Sequence, residues 1–165
     1  MKLTDDDPDT LDAYLQCVYH NTAANVDAVD DIRSLSLVRV YVLADKLGDV
    51  ETANMTIDAI IWNSDMLTLI PCPCTVAYAF ANSPESSPLR RMLVDYYVHE
   101  ASLAAVSDGL SRMSHGFLCT LVLESRTVKE RSSIDGLVGE VFCRNISNMP
   151  RCHYHQHDEL YPHCK

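Results

Sequence analysis

The sequence predicts a mostly α-helical protein. The clearest signal is a pair of amphipathic helices between Ser36 and Ile61, joined at Gly48 and Asp49. A second signal is proline at positions 8, 73 and 88, each where a helix can begin, since proline suits the first helical turn. Any β-structure is confined in this prediction to a short strand stub at the N-terminus, in residues 1–4.

The first predicted helix covers residues 5–19. Asp7 can cap it, Pro8 suits its first position, and the surrounding acidic residues face the positive end of the helix dipole. We expect its buried face to consist of the apolar residues at helical spacing, Leu11, Tyr14, Leu15 and Val18. An EF-hand calcium loop is excluded, because its ligand spacing and its glycine are absent.

Apolar residues recur at helical spacing in both members of the central pair. The face of the first member is Leu37, Val40, Tyr41, Ala44 and Leu47. The face of the second is Val50, Ala53, Ile57, Ile60 and Ile61. Gly48 is expected to close the first helix in the left-handed conformation, and Asp49 to cap the second.

Further helical segments follow the pair. One begins at Pro73, and one that begins at Pro88 is expected to run to about Val106. Another apolar segment covers residues 115–124. Between Ile134 and Phe142 the helical pattern is weak.

Charge and composition restrict the classes of function. The chain has 23 acidic and 13 basic residues and a formal net charge of -10, which disfavours binding to nucleic acid or to anionic membranes. No apolar run approaches the roughly 18 residues of a membrane span. The polar N-terminus does not resemble a signal peptide. We therefore expect an intracellular protein, of the cytoplasm or nucleus, whose 7 cysteines are reduced thiols.

The sequence lacks the common catalytic motifs. There is no G-x-S-x-G, G-x-x-x-x-G-K or H-E-x-x-H, and 5 glycines leave little room for a phosphate-binding loop. Cys72-Pro73-Cys74 could be a redox or metal pair, but we interpret it as two small, partly buried thiols. Trp62 is expected in the core, as are the tyrosines at helical positions. The prediction is a non-enzymatic protein.

The C-terminal tail concentrates residue types that bind metals. Positions 152–164 hold four histidines and two cysteines, and thiolate with imidazole suits zinc. The candidate tetrahedral ligands are Cys152, His155, His157 and Cys164, with His153 and His163 as alternative donors. Such a zinc site would be structural, because four protein ligands leave no position for water. The alternative is a polar tail that is rich in histidine and binds no metal.

Three segments, in this order and spacing, resemble the helical C-terminal half of the BTB/POZ domain, particularly in its large fungal set. Residues 5–19 place an acidic turn and a proline before a helix that ends in Val-Tyr. Residues 40–47, VYVLADKL, resemble the next helix, with its Ala-Asp-Lys core. Residues 83–98, SPESSPLRRMLVDYYV, resemble the helix that follows the BTB core in fungal members, which often carry a Cys-x-Tyr-His-x-His stretch similar to the tail.

The resemblance implies three regions. Residues 1–62 are a partial BTB/POZ-like helical region, residues 63–124 are the following helices, and residues 125–165 are a weakly structured region with the Cys/His tail. The strand hairpin and two helices with which the family begins have no counterpart here, so we expect a natural short form or a gene product that lacks its start. The helices containing Leu11 and Leu37 would then expose apolar faces, which require a protein partner or lower the solubility.

The function that the resemblance implies is protein–protein interaction, as an adaptor in ubiquitin ligation. Its partners would be a cullin-type ligase scaffold or a second copy of the chain. Of the family's scaffold-contact surface, only Tyr19 and the loop that follows it can be mapped onto this sequence. The alternatives are a small structural-zinc regulatory protein that acts through its tail, and a truncated fragment without independent function.

Overall fold

The computed structural model describes residues 7–23, 31–67, 70–134, 146 and 149–157. Its α-helices are α1 (Pro8–His20), α2 (Asp31–Leu47), α3 (Val50–Leu67), α4 (Pro73–Asn82), α5 (Pro88–His99), α6 (Leu103–Gly109) and α7 (His115–Ile134). Short 3₁₀-helices cover Leu110–Arg112 and Arg151–His153. These ranges contain no β-strand, which confirms the mostly α-helical prediction. The predicted strand stub lies outside the described residues, as does most of the weak pattern up to Phe142.

Helix α2 is the centre of the fold and packs against α1, α3 and α4. Its middle is buried on nearly every side, at Leu37, Val38, Val40, Tyr41, Val42, Leu43 and Ala44. The expectation that the Leu37 face would lack a packing partner is therefore wrong. The neighbouring helices of this chain cover that face.

The turn between α2 and α3 follows the prediction. Gly48 has a φ of 72°, in the left-handed region that favours glycine. The Oδ1 atom of Asp49 accepts the N–H of Thr52 at 3.0 Å and so caps α3. Helix α3 then continues to Leu67, beyond the apolar face predicted up to Ile61, and Ser64 in this extension is buried.

Helices α4 and α5 begin at the predicted prolines, Pro73 and Pro88. However, α5 ends at His99, and the prediction that it reaches Val106 is wrong. The hydroxyl of Ser102 accepts the N–H of Ala105 at 3.2 Å, and this N-cap begins a separate helix, α6.

Phe117 of α7 joins the second half of the chain to α4 and α5. It is fully buried and makes edge-to-face contacts with two aromatic rings. Its ring centroid lies 5.3 Å from that of Phe80 and 5.1 Å from that of Tyr97. Both distances are in the range where aromatic pairs add to the energy of area burial. Phe117 and Leu121 confirm the apolar face predicted for residues 115–124, whereas Val122 is exposed.

Candidate protein-interaction site

Helix α1 carries an exposed apolar stripe, here called the α1 stripe: Leu11, Leu15, Val18 and Tyr19. The exposed fractions of these residues are 40%, 39%, 45% and 81%, in the same order. Their spacing of four, three and one positions places them on one side of the helix. The prediction that Leu11, Leu15 and Val18 are buried is wrong.

The buried face of α1 is rotated by about one residue from the predicted one. It consists of Thr10, Ala13, Tyr14 and Cys17, which are buried or half-buried. Three of these side chains are small, so α1 can lie close to α2. The larger one, Tyr14, extends to the turn before α3, where its hydroxyl donates to Asp49 Oδ2 at 2.9 Å.

The contact between Tyr14 and Asp49 shifts the pKa of both side chains. Burial, together with the hydrogen bond and the negative charge of Asp49, raises the pKa of Tyr14 to about 12. Burial alone would raise the pKa of Asp49, but the N–H of Thr52 and the Tyr14 hydroxyl lower it below its usual value. The hydrogen bond therefore fixes α1 against the start of α3 and keeps the α1 stripe in a defined orientation.

Tyr19, the predicted protein-contact residue, lies at the end of this stripe. It is in the last turn of α1 and is the most exposed of the four stripe residues. The helix ends just after it, because Asn21 adopts a left-handed conformation with φ 48° and donates its N–H to the Cys17 carbonyl. The Tyr19 ring is thus available to a partner, at a helix end that is closed by a C-cap.

Acidic residues flank the α1 stripe. Asp9 and Asp12 are exposed on α1, and Asp12 accepts a hydrogen bond from Gln16 at 2.8 Å. Asp7, at the N-cap position, forms an ion pair with Arg39 at 3.2 Å. The stripe therefore combines an apolar centre with a negatively charged border.

Gln156 attaches the C-terminal tail to the α2–α3 pair. Its backbone N–H donates to Asn54 Oδ1 at 2.8 Å, and its carbonyl accepts from Asn54 Nδ2 at 3.0 Å. Its side-chain Nε2 donates to the Tyr41 hydroxyl at 3.0 Å and to Asp45 Oδ1 at 2.8 Å. No sequence signal pointed to this residue, because a single glutamine has no periodicity and belongs to no motif.

Tyr154 attaches the same tail to α5. It is 1% exposed, and its hydroxyl donates to Asp95 Oδ2 at 2.7 Å. Burial and the bond to Asp95 raise the pKa of Tyr154 far above its usual value. Arg91 donates to the carbonyl of His153 and places its guanidinium 5.8 Å from the Tyr154 ring centroid. Residues 152–157 are therefore not a free polar tail.

The structure places three of the four candidate zinc ligands in this docked segment. His155 is nearly buried and contacts Asp58 Oδ1 through Nε2 at 3.1 Å, and the rings of His155 and His157 are 6.0 Å apart. Cys152 is half-buried, and Cys164 lies outside the described residues. Within the described part of the chain, no three His, Cys, Asp or Glu side chains are grouped for a metal ion. The four-ligand zinc site stays a prediction.

A cavity of about 460 Å³ lies between α3 and the tail. Its lining includes Met55, Trp62, Asn63, Met149 and Tyr154. Trp62 is 59% exposed, so the prediction that it belongs to the core is wrong. The Nδ2 atom of Asn63 is buried and has no hydrogen-bond partner among the described residues.

The Cys72 and Cys74 side chains form a disulfide at the start of α4. The interpretation of these residues as two separate thiols is therefore wrong. Their one-residue separation and the extended backbone of Cys72 bring the two sulfur atoms together. Cys17 and Cys119 are free cysteines in the described ranges.

Comparison with known proteins gives no relative from which a function could be transferred. No family model, no curated protein and no solved structure matches the chain. None of the helices in the described ranges combines the length and the apolar content that a membrane crossing requires.

Proposed function

We propose that this chain is a non-enzymatic, BTB/POZ-like protein-interaction module and that the α1 stripe is its contact surface. The observation that carries the proposal is the exposure of Leu11, Leu15, Val18 and Tyr19 on one side of a helix whose other side is packed. The resemblance of three segments to the BTB/POZ family supports the same function. Tyr19 is the residue that the resemblance and the exposed stripe have in common.

The stripe can contribute useful binding energy. Full burial of a leucine or valine side chain is worth about 1.5–3 kcal/mol, so covering one that is already about half-buried adds about 1 kcal/mol. Tyr19 is mostly exposed and offers a rigid ring with a polar tip, which is a frequent anchor in interfaces. The stripe therefore suits the centre of a small interface.

The charge around the stripe indicates the chemistry of the partner. Asp9 and Asp12 border the apolar residues, and the chain has a formal net charge of -10. A partner segment with apolar side chains and a basic rim would be complementary. The association rate with such a partner falls as salt concentration rises, because salt screens exposed charges.

Within the ubiquitin-ligation hypothesis, the partner is a cullin-type scaffold. The experiment is surface plasmon resonance with the purified scaffold, using the wild-type chain and three variants. Tyr19→Ala and Leu15→Asp are each expected to weaken binding by about tenfold or more. Leu103→Asp is the matched control, because Leu103 is 85% exposed on α6, away from the stripe residues in sequence.

The outcomes separate the alternatives. Binding that is lost in the two α1 variants and kept in the Leu103 variant supports the proposal. Absence of binding, or equal loss in all three variants, contradicts the cullin assignment. Light scattering on the wild-type chain measures its molar mass and so shows whether it self-associates. If the stripe contacts a second copy of the chain, Leu15→Asp should abolish that self-association. Zinc quantified in the same sample tests the structural-zinc alternative.

A further inference from the structure

The Cys72–Cys74 segment is held from two sides by contacts that do not involve sulfur. The carbonyl of Pro71, which is buried, accepts the Tyr97 hydroxyl at 2.8 Å. The ring of Pro73 packs directly on Gly109, where an added methyl group would lie 2.8 Å from Pro73 Cγ. Because the backbone is fixed by these contacts, the two sulfur atoms stay close when the disulfide is reduced.

The two cysteines of the pair differ in their surroundings. Cys72 is half-buried at the N-cap of α4, where its Sγ accepts the N–H of Thr75 at 3.4 Å and contacts the Thr75 hydroxyl at 3.3 Å. Cys74 is exposed in the first turn. A thiolate at Cys72 is stabilised by these donors and by the helix dipole, whereas Cys74 is accessible to a reagent.

We propose that Cys72 and Cys74 form a thiol–disulfide exchange site for low-molecular-weight thiols of the glutathione class. An external thiolate attacks the Sγ of Cys74 and forms a mixed disulfide, while the bond to Cys72 breaks and its electron pair stays on the Cys72 thiolate. A second thiolate attacks the external sulfur and releases Cys74 as a thiolate. The released cysteines take their protons from solvent. Two thiols and the protein disulfide thus give the protein dithiol and one external disulfide, and the reverse reaction oxidises the protein.

Another cysteine in the described ranges provides an internal control. Cys119 is exposed on α7, and its Sγ lies 3.6 Å from the His115 ring. None of the described cysteines forms a disulfide with it. It can therefore form a mixed disulfide with glutathione, but not an intramolecular disulfide with a described neighbour.

The first test is an equilibrium measurement on the full chain. The protein is incubated with reduced and oxidised glutathione at a fixed ratio and at increasing total concentration, then quenched, alkylated and mapped by mass spectrometry. Reduction of an intramolecular disulfide consumes two thiols per disulfide released, so a tenfold rise in total glutathione should raise the dithiol-to-disulfide ratio of the Cys72–Cys74 peptide about tenfold. The mixed-disulfide fraction of Cys119 depends only on the glutathione ratio and should not change. A Cys72–Cys74 peptide that behaves like Cys119, or stays reduced throughout, overturns the proposal.

The second test maps the direction of attack. Glutathione is added to the oxidised chain in the presence of iodoacetamide, which alkylates each leaving thiolate. The expected product carries glutathione on Cys74 and the alkyl group on Cys72, in about tenfold excess over the reverse product. The exposure of Cys74 and the stability of the Cys72 thiolate as leaving group both favour attack at Cys74. An equal mixture, or an excess of the reverse product, refutes this direction.

Variants give a further check that does not depend on protein binding. Cys72→Ser keeps a good N-cap for α4, so this variant is expected to fold. With oxidised glutathione it should keep glutathione on Cys74, because the neighbouring thiolate that would displace it is gone. Prompt loss of that adduct without added thiol contradicts the proposal. The result is independent of the cullin experiment, since neither cysteine belongs to the α1 stripe.

Discussion

Replacement of Tyr154 by phenylalanine tests whether the tail is docked as the structure shows. The substitution keeps the buried ring but removes the hydroxyl that donates to Asp95 Oδ2 at 2.7 Å. The Asp95 side chain is only 18% exposed, so it loses a charge-assisted hydrogen bond that water cannot fully replace. Hydrogen bonds to charged groups contribute about 1.5–3 kcal/mol. We expect the free energy of unfolding to fall by about 2 kcal/mol.

Urea unfolding measures this loss of stability, provided that the slope m is the same for both proteins. Hydrogen exchange measures the loss at individual backbone amides of the tail. Gln156 belongs to the same docked segment, and its backbone N–H donates to Asn54 Oδ1. If the tail opens as a unit, a loss of about 2 kcal/mol makes exchange of this amide about 30-fold faster. Tyr19→Phe is the matched control, since Tyr19 is 81% exposed and its hydroxyl should contribute less than about 0.5 kcal/mol.

A double-mutant cycle with Asp95→Asn isolates the pair. If the hydroxyl acts through the Asp95 carboxylate, Tyr154→Phe should cost clearly less in the Asp95→Asn background than in the wild type. An equal cost in both backgrounds would show that the hydroxyl does not act through Asp95. A cost indistinguishable from that of Tyr19→Phe would refute the docking of the tail through Tyr154.

Three more perturbations follow from local geometry. Gly109→Ala should destabilise the protein by about 1–3 kcal/mol, because the new methyl group would lie 2.8 Å from the rigid Pro73 ring. The methyl group of Gly116→Ala meets nothing closer than 4.0 Å, so this variant should stabilise α7 by up to about 1 kcal/mol. Urea unfolding of both variants compares the two effects, and equal effects would contradict the prediction. Asn63→Leu removes a buried amide whose Nδ2 has no hydrogen-bond partner among the described residues. We expect this variant to be more stable by about 1 kcal/mol and to have a higher midpoint of thermal unfolding, whereas a lower midpoint would mean that the amide is satisfied in solution. Ultraviolet titration should show a tyrosine with a pKa of about 12 that Tyr14→Phe removes. Since folding raises this pKa from 10.0, the contribution of Tyr14 to the free energy of unfolding is complete below pH 10 and should be lost as the pH rises towards 12. A titration curve that Tyr14→Phe leaves unchanged would contradict this prediction.

Local signals in the sequence were sufficient for the starts of several helices and for the turn between α2 and α3, but not for the ends of α3, α5 and α7. Pro73 and Pro88 begin helices as predicted, and Gly48 and Asp49 form the turn between α2 and α3. These features depend on backbone preference and capping within a few residues, which the sequence contains directly. The end of α5 was misplaced because Ser102, which begins the next helix, lies within an otherwise continuous helical pattern.

The buried side of α1 could not be chosen from periodicity. Both the stripe that begins at Leu11 and the set that begins at Thr10 have helical spacing, and apolar content alone favours the Leu11 stripe as the buried one. In the structure, the close approach of α2 favours the smaller side chains, and the Tyr14–Asp49 bond fixes the rotation of the helix. Those determinants are tertiary contacts, which the sequence does not contain directly, whereas Tyr19 is already indicated by the resemblance.

The attachment of the tail and the exposure of α1 together favour one location for a partner. A partner that replaced the tail would have to compensate for the hydrogen bonds of Gln156 to Asn54 and Asp45 on α3 and α2, and for that of Tyr154 to Asp95 on α5. Bonds to charged groups are among those whose loss costs most. A partner on the α1 stripe breaks no hydrogen bond and covers side chains that water now contacts. The free-energy balance therefore supports the proposal that a partner binds α1, with Tyr19 at the exposed end of the contact surface.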